Sequence, residues 1–218
     1  MARLCSNVGE PVIFDIGAHH GQTAKEFRTW FPKAHIFCFE PFPDSYSELV
    51  KNTSDDIRIR CFNYGLSDSQ GVFPFQSNRQ SSTNSLLESD PSAQSVWGNN
   101  ILTTDAVVEL QFHPLDSVAP SLGIKQIDIL KMDVQGAEYK VVQGAMRLCE
   151  QRLIGLVYSE IITQPTYLGQ KRFDQALSFY YESGFDLWNI YNLSNTAAGQ
   201  LRQVDALFCR ASMPLVKT

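Results

Sequence analysis

The sequence predicts an open α/β fold: a doubly wound, mostly parallel seven-stranded sheet that ends in an antiparallel hairpin. Three observations predict it. Short, apolar, β-branched runs alternate with helical patterns along most of the chain. Polar clusters follow three of those runs directly, at "DIGAHHG", "CFEP" and "KMDVQGAE". Two more strand-like runs, "DLWNIYN" and "QVDALFCR", close the chain around the turn "SNTAAG".

The elements follow in order. Pro11 to Ala18 reads as a buried strand, because "VIFDI" is short, β-branched and bounded by Pro and Gly. Gln22 to Phe31 carries Ala24, Phe27, Trp30 and Phe31 on one helical face, and Pro32 ends it. "HIFCFEP" is a second strand, and Asp44 is placed to cap a short helix over "SYSELVKN". "IRIRCFNYGLSD" alternates and then breaks into a turn, a third strand. Right-handed crossovers make these three parallel. From Ser69 to about Asn100 the rhythm fails. "QSNRQSSTNSLLESDPSAQSVWGNN" reads as a long polar surface excursion, and loops of such length are usually functional or mobile. "VVELQFHPLDSV" alternates like an edge strand, so the excursion occupies about 69–110. "IDILKMDVQGAE" is a fourth strand leading into a helix from about Ala137 to Glu150, and "LIGLVYSEI" is a fifth. "KRFDQALSFYYESGF" is an amphipathic helix with Gly184 at its C-terminal stop. No repeat or linker divides the chain, so a single domain over residues 1–218 is expected.

At 218 residues, 44% hydrophobic and 19% charged, the composition is globular rather than disordered. No apolar run approaches a membrane helix, and the start from Met1 to Cys5 leads into no secretory segment. A net charge of -5 argues against a nucleic-acid partner. The 5 cysteines are odd in number and include no C-x-x-C pair. Cys38, Cys61 and Cys209 lie in apolar runs, which argues against a metal site or disulfide framework and for a reducing, cytoplasmic setting.

Ligands of open α/β sheets bind at the carboxyl ends of the strands. At the first such end Gly17 tightens the turn, and Gly21 lets the following helix approach the strand. The helix amides there can receive an anionic group. The spacing is short of a full G-x-G-x-x-G, so an ordinary strand–helix turn stays open as a reading. Glu40 ends the second strand roughly 20 residues on, where an acid accepts hydrogen bonds from ribose hydroxyls. It could also be a solvated loop acid. Together, glycine turn and acid favour an adenosine-type cofactor. Asp133 closes the fourth strand, where a carboxylate needs a partner. Glu138 sits in a first helical turn, which suits the macrodipole as well as a site.

"VIFDIGAHHGQTAKEF", "FCFEPFP", "SSTNSLL", "PLDSV", "IDILKMDVQGAEYKVVQGA" and "YSEI" followed by "YLGQ" resemble the successive motifs of the FkbM-type S-adenosylmethionine-dependent methyltransferases. The likeness runs from the first strand to Gly184, and K-x-D-V-Q-G-A-E is its most specific part. It implies a class I methyltransferase, Rossmann-like fold with S-adenosylmethionine in the crevice and S-adenosylhomocysteine as product. Most such enzymes methylate oxygens of sugars or small metabolites. Carried onto this chain, Asp15, Gly17, Ala18, His19 and Gly21 form the cofactor turn, and Glu40 beside Pro41 holds the ribose. Leu66, Ser67 and Asp68 lie near the adenine, and Asp133 lies near the sulfonium and the acceptor. The family usually has Asn where this chain has His19.

A hydroxyl acceptor benefits from a general base. The candidates are Asp133, His113, Asp116, Glu160, His19 and His20, with Asp133 first on position, as base or acceptor orienter. Ser81, Ser82, Thr83, Asn84 and Ser85 suit a polar or sugar-like acceptor. Trp97 and Tyr167 could stack on a ring or could pack the loop down. Two other classes fit the same turn and acid: an NAD(P)-dependent oxidoreductase of Rossmann type, and a non-catalytic binding module on a methyltransferase-like fold. The first would lack its full fingerprint and a substrate domain. The second gains if the crevice is filled.

Overall fold

The computed structural model describes Cys5, residues 8–98 and residues 100–210. The start at Met1 to Leu4, read above for a secretory segment, lies outside the described residues. Among the described residues, ten strands form two sheets. They are β1 (Val12–Ile16), β2 (His35–Phe39), β3 (Ile59–Phe62), β4 (Gly65–Leu66), β5 (Gly71–Asn78), β6 (Thr104–His113), β7 (Ile127–Met132), β8 (Ile154–Ile162), β9 (Phe185–Asn195) and β10 (Leu201–Arg210). The helices are α1 (Gln22–Trp30), α2 (Pro43–Thr53), α3 (Gln94–Trp97), α4 (Leu115–Ser121), α5 (Glu138–Gln143), α6 (Met146–Glu150) and α7 (Phe173–Glu182).

The main sheet has seven strands in the order β3-β2-β1-β7-β8-β10-β9. Its first five strands in chain order pair in parallel, while β10 is antiparallel to both β8 and β9. The chain order runs outward one way from β1 and the other way from β7, so the topological switch point lies between them. Because successive strand residues face opposite sides, Phe14 and Ile16 enter one apolar layer and Ile13 enters the other. No helix among the described residues is long and apolar enough to cross a membrane.

Several local expectations change. Phe42, not Asp44, caps α2, because Pro43 takes the first helical position and Asp44 falls in the first turn. The third run is split: β3 joins the main sheet, and β4 crosses to a second sheet of order β4-β6-β5. In that sheet β6 is central rather than an edge strand, and the chain after His113 becomes α4. The helix expected over 137–150 is two short helices broken at Gly144 and Ala145. A Cβ at Gly144 would stand 2.0 Å from the Ser67 carbonyl oxygen, so the break seats one segment against the other. The polar excursion is built rather than loose: Ala93, Leu102, Ile162 and Tyr167 share a small apolar cluster beneath it. Gly184, with φ 85, ends α7 as expected.

Candidate active site

At the switch point the turn after β1 is held by backbone hydrogen bonds. The N–H groups of Gly17 and Ala18 both donate to the Phe39 carbonyl, at 3.0 and 3.1 Å. Gly17 has φ 72, and a Cβ there would meet the Asp133 carbonyl oxygen at 1.9 Å. This glycine therefore lets the turns after β1 and β7 touch. Gly21, at φ 85, caps α1, and a Cβ there would meet Leu49 and Thr53. The close approach it allows is thus to α2, not to the strand as expected.

Glu40 is buried at the end of β2. Its Oε2 accepts from the His19 N–H at 2.9 Å and its Oε1 from the Phe42 N–H at 3.0 Å. Burial pushes its carboxyl up to about 7, with those two hydrogen bonds pulling the other way. A carboxylate has about four acceptor positions, so about two remain toward a ligand.

One cavity gathers the site. Gly17, Ala18, His19, Glu40, Pro41, Leu66 and Asp133 line it on the cofactor side. Ser82 and Asn84 line it from the excursion, with Ser81 beside them. The excursion walls the crevice without filling it.

Other candidates lie elsewhere. Asp15 is fully buried beneath the turn, with its Oδ1 2.9 Å from Lys131 Nζ. It therefore acts on the turn through Lys131, which donates to the Gly17 carbonyl at 3.1 Å. Ser67 and Asp68 turn away from the cavity, because Ser67 Oγ donates to Asp68 Oδ1 and Lys140 Nζ reaches Asp68 Oδ2 at 3.2 Å. His113 packs edge-on against Tyr64 at 4.8 Å. Asp116 accepts from the Arg147 and Leu148 N–H groups, which caps α6. Glu160 takes Gln135 on Oε2 and Gln203 on Oε1, at 3.0 and 2.8 Å. Burial, then Asp133 and Glu138, push its carboxyl well above the usual range. Neither His113, Asp116 nor Glu160 lines the cavity, so none is placed as its base.

The excursion's buried hydroxyls are likewise spent on structure. Thr83 Oγ1 donates to backbone carbonyls, and Ser85 Oγ donates to the Gln135 carbonyl at 2.7 Å. Trp97 donates to Thr166 Oγ1 and lies under the Arg202 guanidinium. The Tyr167 hydroxyl is shared between the Thr83 carbonyl and Gln135 Oε1, at 2.9 and 2.8 Å. Both aromatic rings pack the excursion down and neither faces the cavity. Glu138 folds back onto its own turn, accepting from the Val134 and Gly136 N–H groups, and burial pushes it up to about 7.

Three features were missed in the sequence. Lys131 sits in the cavity wall; burial pulls its ammonium down, and Asp15 and Asp133 more than offset this. Its signal was the lysine two residues before Asp133. Phe75 and Phe112 supply an apolar wall from the second sheet. Gly65 makes room for that wall, since a Cβ there would stand 2.1 Å from the Phe112 ring. The alternation in "GVFPFQ" was the available signal.

The fold is that of the class I S-adenosylmethionine-dependent methyltransferases. Fibrillarin from Aeropyrum pernix, solved with S-adenosyl-L-methionine bound, aligns over 92% of this chain and 66% of its own, with a TM-score of 0.52 and 12% identity. The methyltransferase FkbM domain model matches residues 15–187, and the chain belongs to that family. Its cofactor is S-adenosylmethionine. The 2-O-methyltransferase NoeI of Sinorhizobium fredii is 33% identical over 74% of this chain and 67% of its own length. The hexuronic acid methyltransferase AglP of Haloferax volcanii is 27% identical over 62% of this chain, and the match spans half of that relative.

The residues present fit this cofactor. Glu40 keeps acceptor positions for ribose hydroxyls, and Leu66, Phe75 and Phe112 offer an apolar face for a purine. Gln22 and Thr23 bring the first turn of α1 to the same cavity, where free helix amides suit a carboxylate.

Proposed function

We propose that the chain methylates a hydroxyl oxygen on a sugar-like or small polar acceptor by in-line displacement. The observation that carries this reading is the shape of one cavity. Its wall combines an adenosine-fitting set, from Glu40 to Phe112, with the hydroxyl and amide groups of Ser81, Ser82 and Asn84. When bound, S-adenosylmethionine supplies an electrophilic methyl group on a sulfonium. Glu40 holds the ribose hydroxyls, and the turn from Gly17 to His19 with the start of α1 holds the methionine part. Asp133 orients the acceptor by receiving one of its hydroxyls. Ser82 and Asn84 take further hydroxyls, and the second sheet keeps water from the reacting atoms.

The name of NoeI supports an oxygen as the target, and that of AglP supports a sugar acid as the kind of acceptor. The net charge of -5 argues against a polyanionic acceptor such as a nucleic acid. Five free cysteines support a cytoplasmic setting. Residues 69–110 serve as the acceptor wall of a single domain.

Transfer of labelled methyl from S-adenosylmethionine to a panel of glycosides and uronic acids tests this, with Asp133→Ala as control. Label is expected on a hydroxyl oxygen with wild type and lost with the variant. Label only on a carboxylate or nitrogen would contradict it.

A further inference from the structure

His19 and Ser81, already placed in the cofactor turn and the acceptor wall, form a side-chain hydrogen-bonded pair between those two parts of the cavity. Nε2 of His19 lies 2.9 Å from Ser81 Oγ, and both residues line the cavity shared by Glu40 and Asp133. They come from separate parts of the fold. His19 belongs to the turn after β1, and Ser81 opens a short 3-10 turn, Ser81–Thr83, of the excursion.

Three constraints hold His19, two on its backbone and one on its ring. His19 has φ 48, a left-handed conformation uncommon for a side-chain-bearing residue. Its N–H is committed to Glu40 Oε2. Its ring stacks on that of His20, with centroids 3.7 Å apart and planes within 19°. The turn that is fitted to the cofactor therefore also aims a nitrogen base at the acceptor wall. A serine hydroxyl donates once and still accepts. While Ser81 donates to Nε2, its oxygen remains open to a hydroxyl in the cavity.

We infer that Ser81 and His19 are the proton relay of the transfer reaction, an inference that rests on the hydroxyl-methylating reading above. As the acceptor oxygen bonds to the methyl carbon, its O–H bond breaks and the proton passes to Ser81 Oγ. The proton of Ser81 passes to His19 Nε2. The methyl–sulfur bond breaks with its electron pair staying on sulfur, so the positive charge lost there reappears on the imidazolium. The half-buried ring then releases the proton to water. Asp133 holds a neighbouring hydroxyl of the acceptor, not the one that reacts.

The surroundings keep the resting ring neutral, with its lone pair free for Ser81. Burial first, then the stacked His20, hold His19 below the ordinary histidine value; Lys131 acts the same way and Asp133 opposes them. Glu40 meets His19 through the backbone N–H, and the turn Ser81–Thr83 brings no charged residue.

Nitrogen-15 spectra of the histidine rings at neutral pH test the pair without any turnover. His19 is expected with Nε2 unprotonated; a proton on Nε2 would overturn the relay, because His19 would then be the donor. Kinetics supply the second test. His19→Asn suits the positive φ and removes the titrating base. It is expected to lower kcat by roughly 10²-fold and to abolish the acid limb of the pH profile. Ser81→Ala, which leaves the cofactor turn intact, should give the same loss while S-adenosylhomocysteine still binds. Either variant keeping wild-type kcat with its acid limb would overturn the inference. Wild-type enzyme with no hydroxyl acceptor at all would instead sink the functional reading, and the ring spectra would still decide the pair.

Discussion

The carbonyl oxygen of Asp133 occupies the space that a side chain at Gly17 would need: an added Cβ would stand 1.9 Å away. The two turns at the switch point are thus packed backbone to backbone. Gly17→Ala must separate them and also strain a φ of 72. Strain alone costs about 1–2 kcal/mol. Thermal unfolding should show a lower Tm, and calorimetry should show loss of S-adenosylhomocysteine binding. Unchanged values of both would mean that the turns are not locked together.

Lys131 is the counter-charge of the buried Asp15, at 2.9 Å. Lys131→Met leaves that carboxylate in an apolar interior, and breaking a buried pair from one side costs about 3–5 kcal/mol. The double variant Asp15→Asn with Lys131→Met should recover much of the loss in a denaturant titration. Additive losses would show that the two side chains do not act as a pair.

Stability of the unliganded chain should fall as pH rises toward neutrality. Burial raises Glu40 and Glu138 from an ordinary value of 4.5 to about 7. A carboxyl with a higher pKa folded than unfolded binds its proton more tightly when folded. Its stabilising effect is complete below 4.5 and is lost as pH rises through about 7. Tm should drop by several degrees between about pH 5 and about pH 8. Glu138→Gln should flatten the curve. A Tm that climbs across this window would contradict the assignment.

Tyr167 ties the excursion to the turn after β7 through the Thr83 carbonyl and Gln135 Oε1. Tyr167→Phe leaves a buried carbonyl with one partner fewer, at a cost of about 1–3 kcal/mol. The acceptor KM should rise several-fold while S-adenosylhomocysteine binding stays within error. Equal loss of both would place Tyr167 in support of the whole crevice rather than its acceptor side.

The sheet was legible because its signals are local. Runs such as "VIFDI" and "IDILKM" need only their own periodicity and flanking residues, and parallel pairing follows from the intervening helices. Part of the cavity wall was legible for a related reason: Gly17 and Glu40 sit at strand ends, where topology alone brings them together. The acceptor half was not. Ser82 and Thr83 are adjacent and chemically alike, yet one lines the cavity and the other holds Ile101. That difference depends on how the excursion packs over Tyr167, a contact across 84 positions. Leu66 and Ser67 part in the same way, one toward the cavity and one toward Asp68. Lys131 escaped notice because a lysine inside a strand looks like an outward-facing charge until its partner Asp15 is seen on the neighbouring strand.

The central claim is that this cavity holds S-adenosylmethionine by the ribose contact of Glu40. Titration calorimetry of S-adenosylhomocysteine and of NAD against wild type and Glu40→Gln tests it most directly. Wild type should bind S-adenosylhomocysteine one to one and ignore NAD. The variant should bind about 10- to 100-fold more weakly, the worth of one or two charge-assisted hydrogen bonds. Binding of NAD in place of S-adenosylhomocysteine, or equal affinity in the variant, would contradict the account.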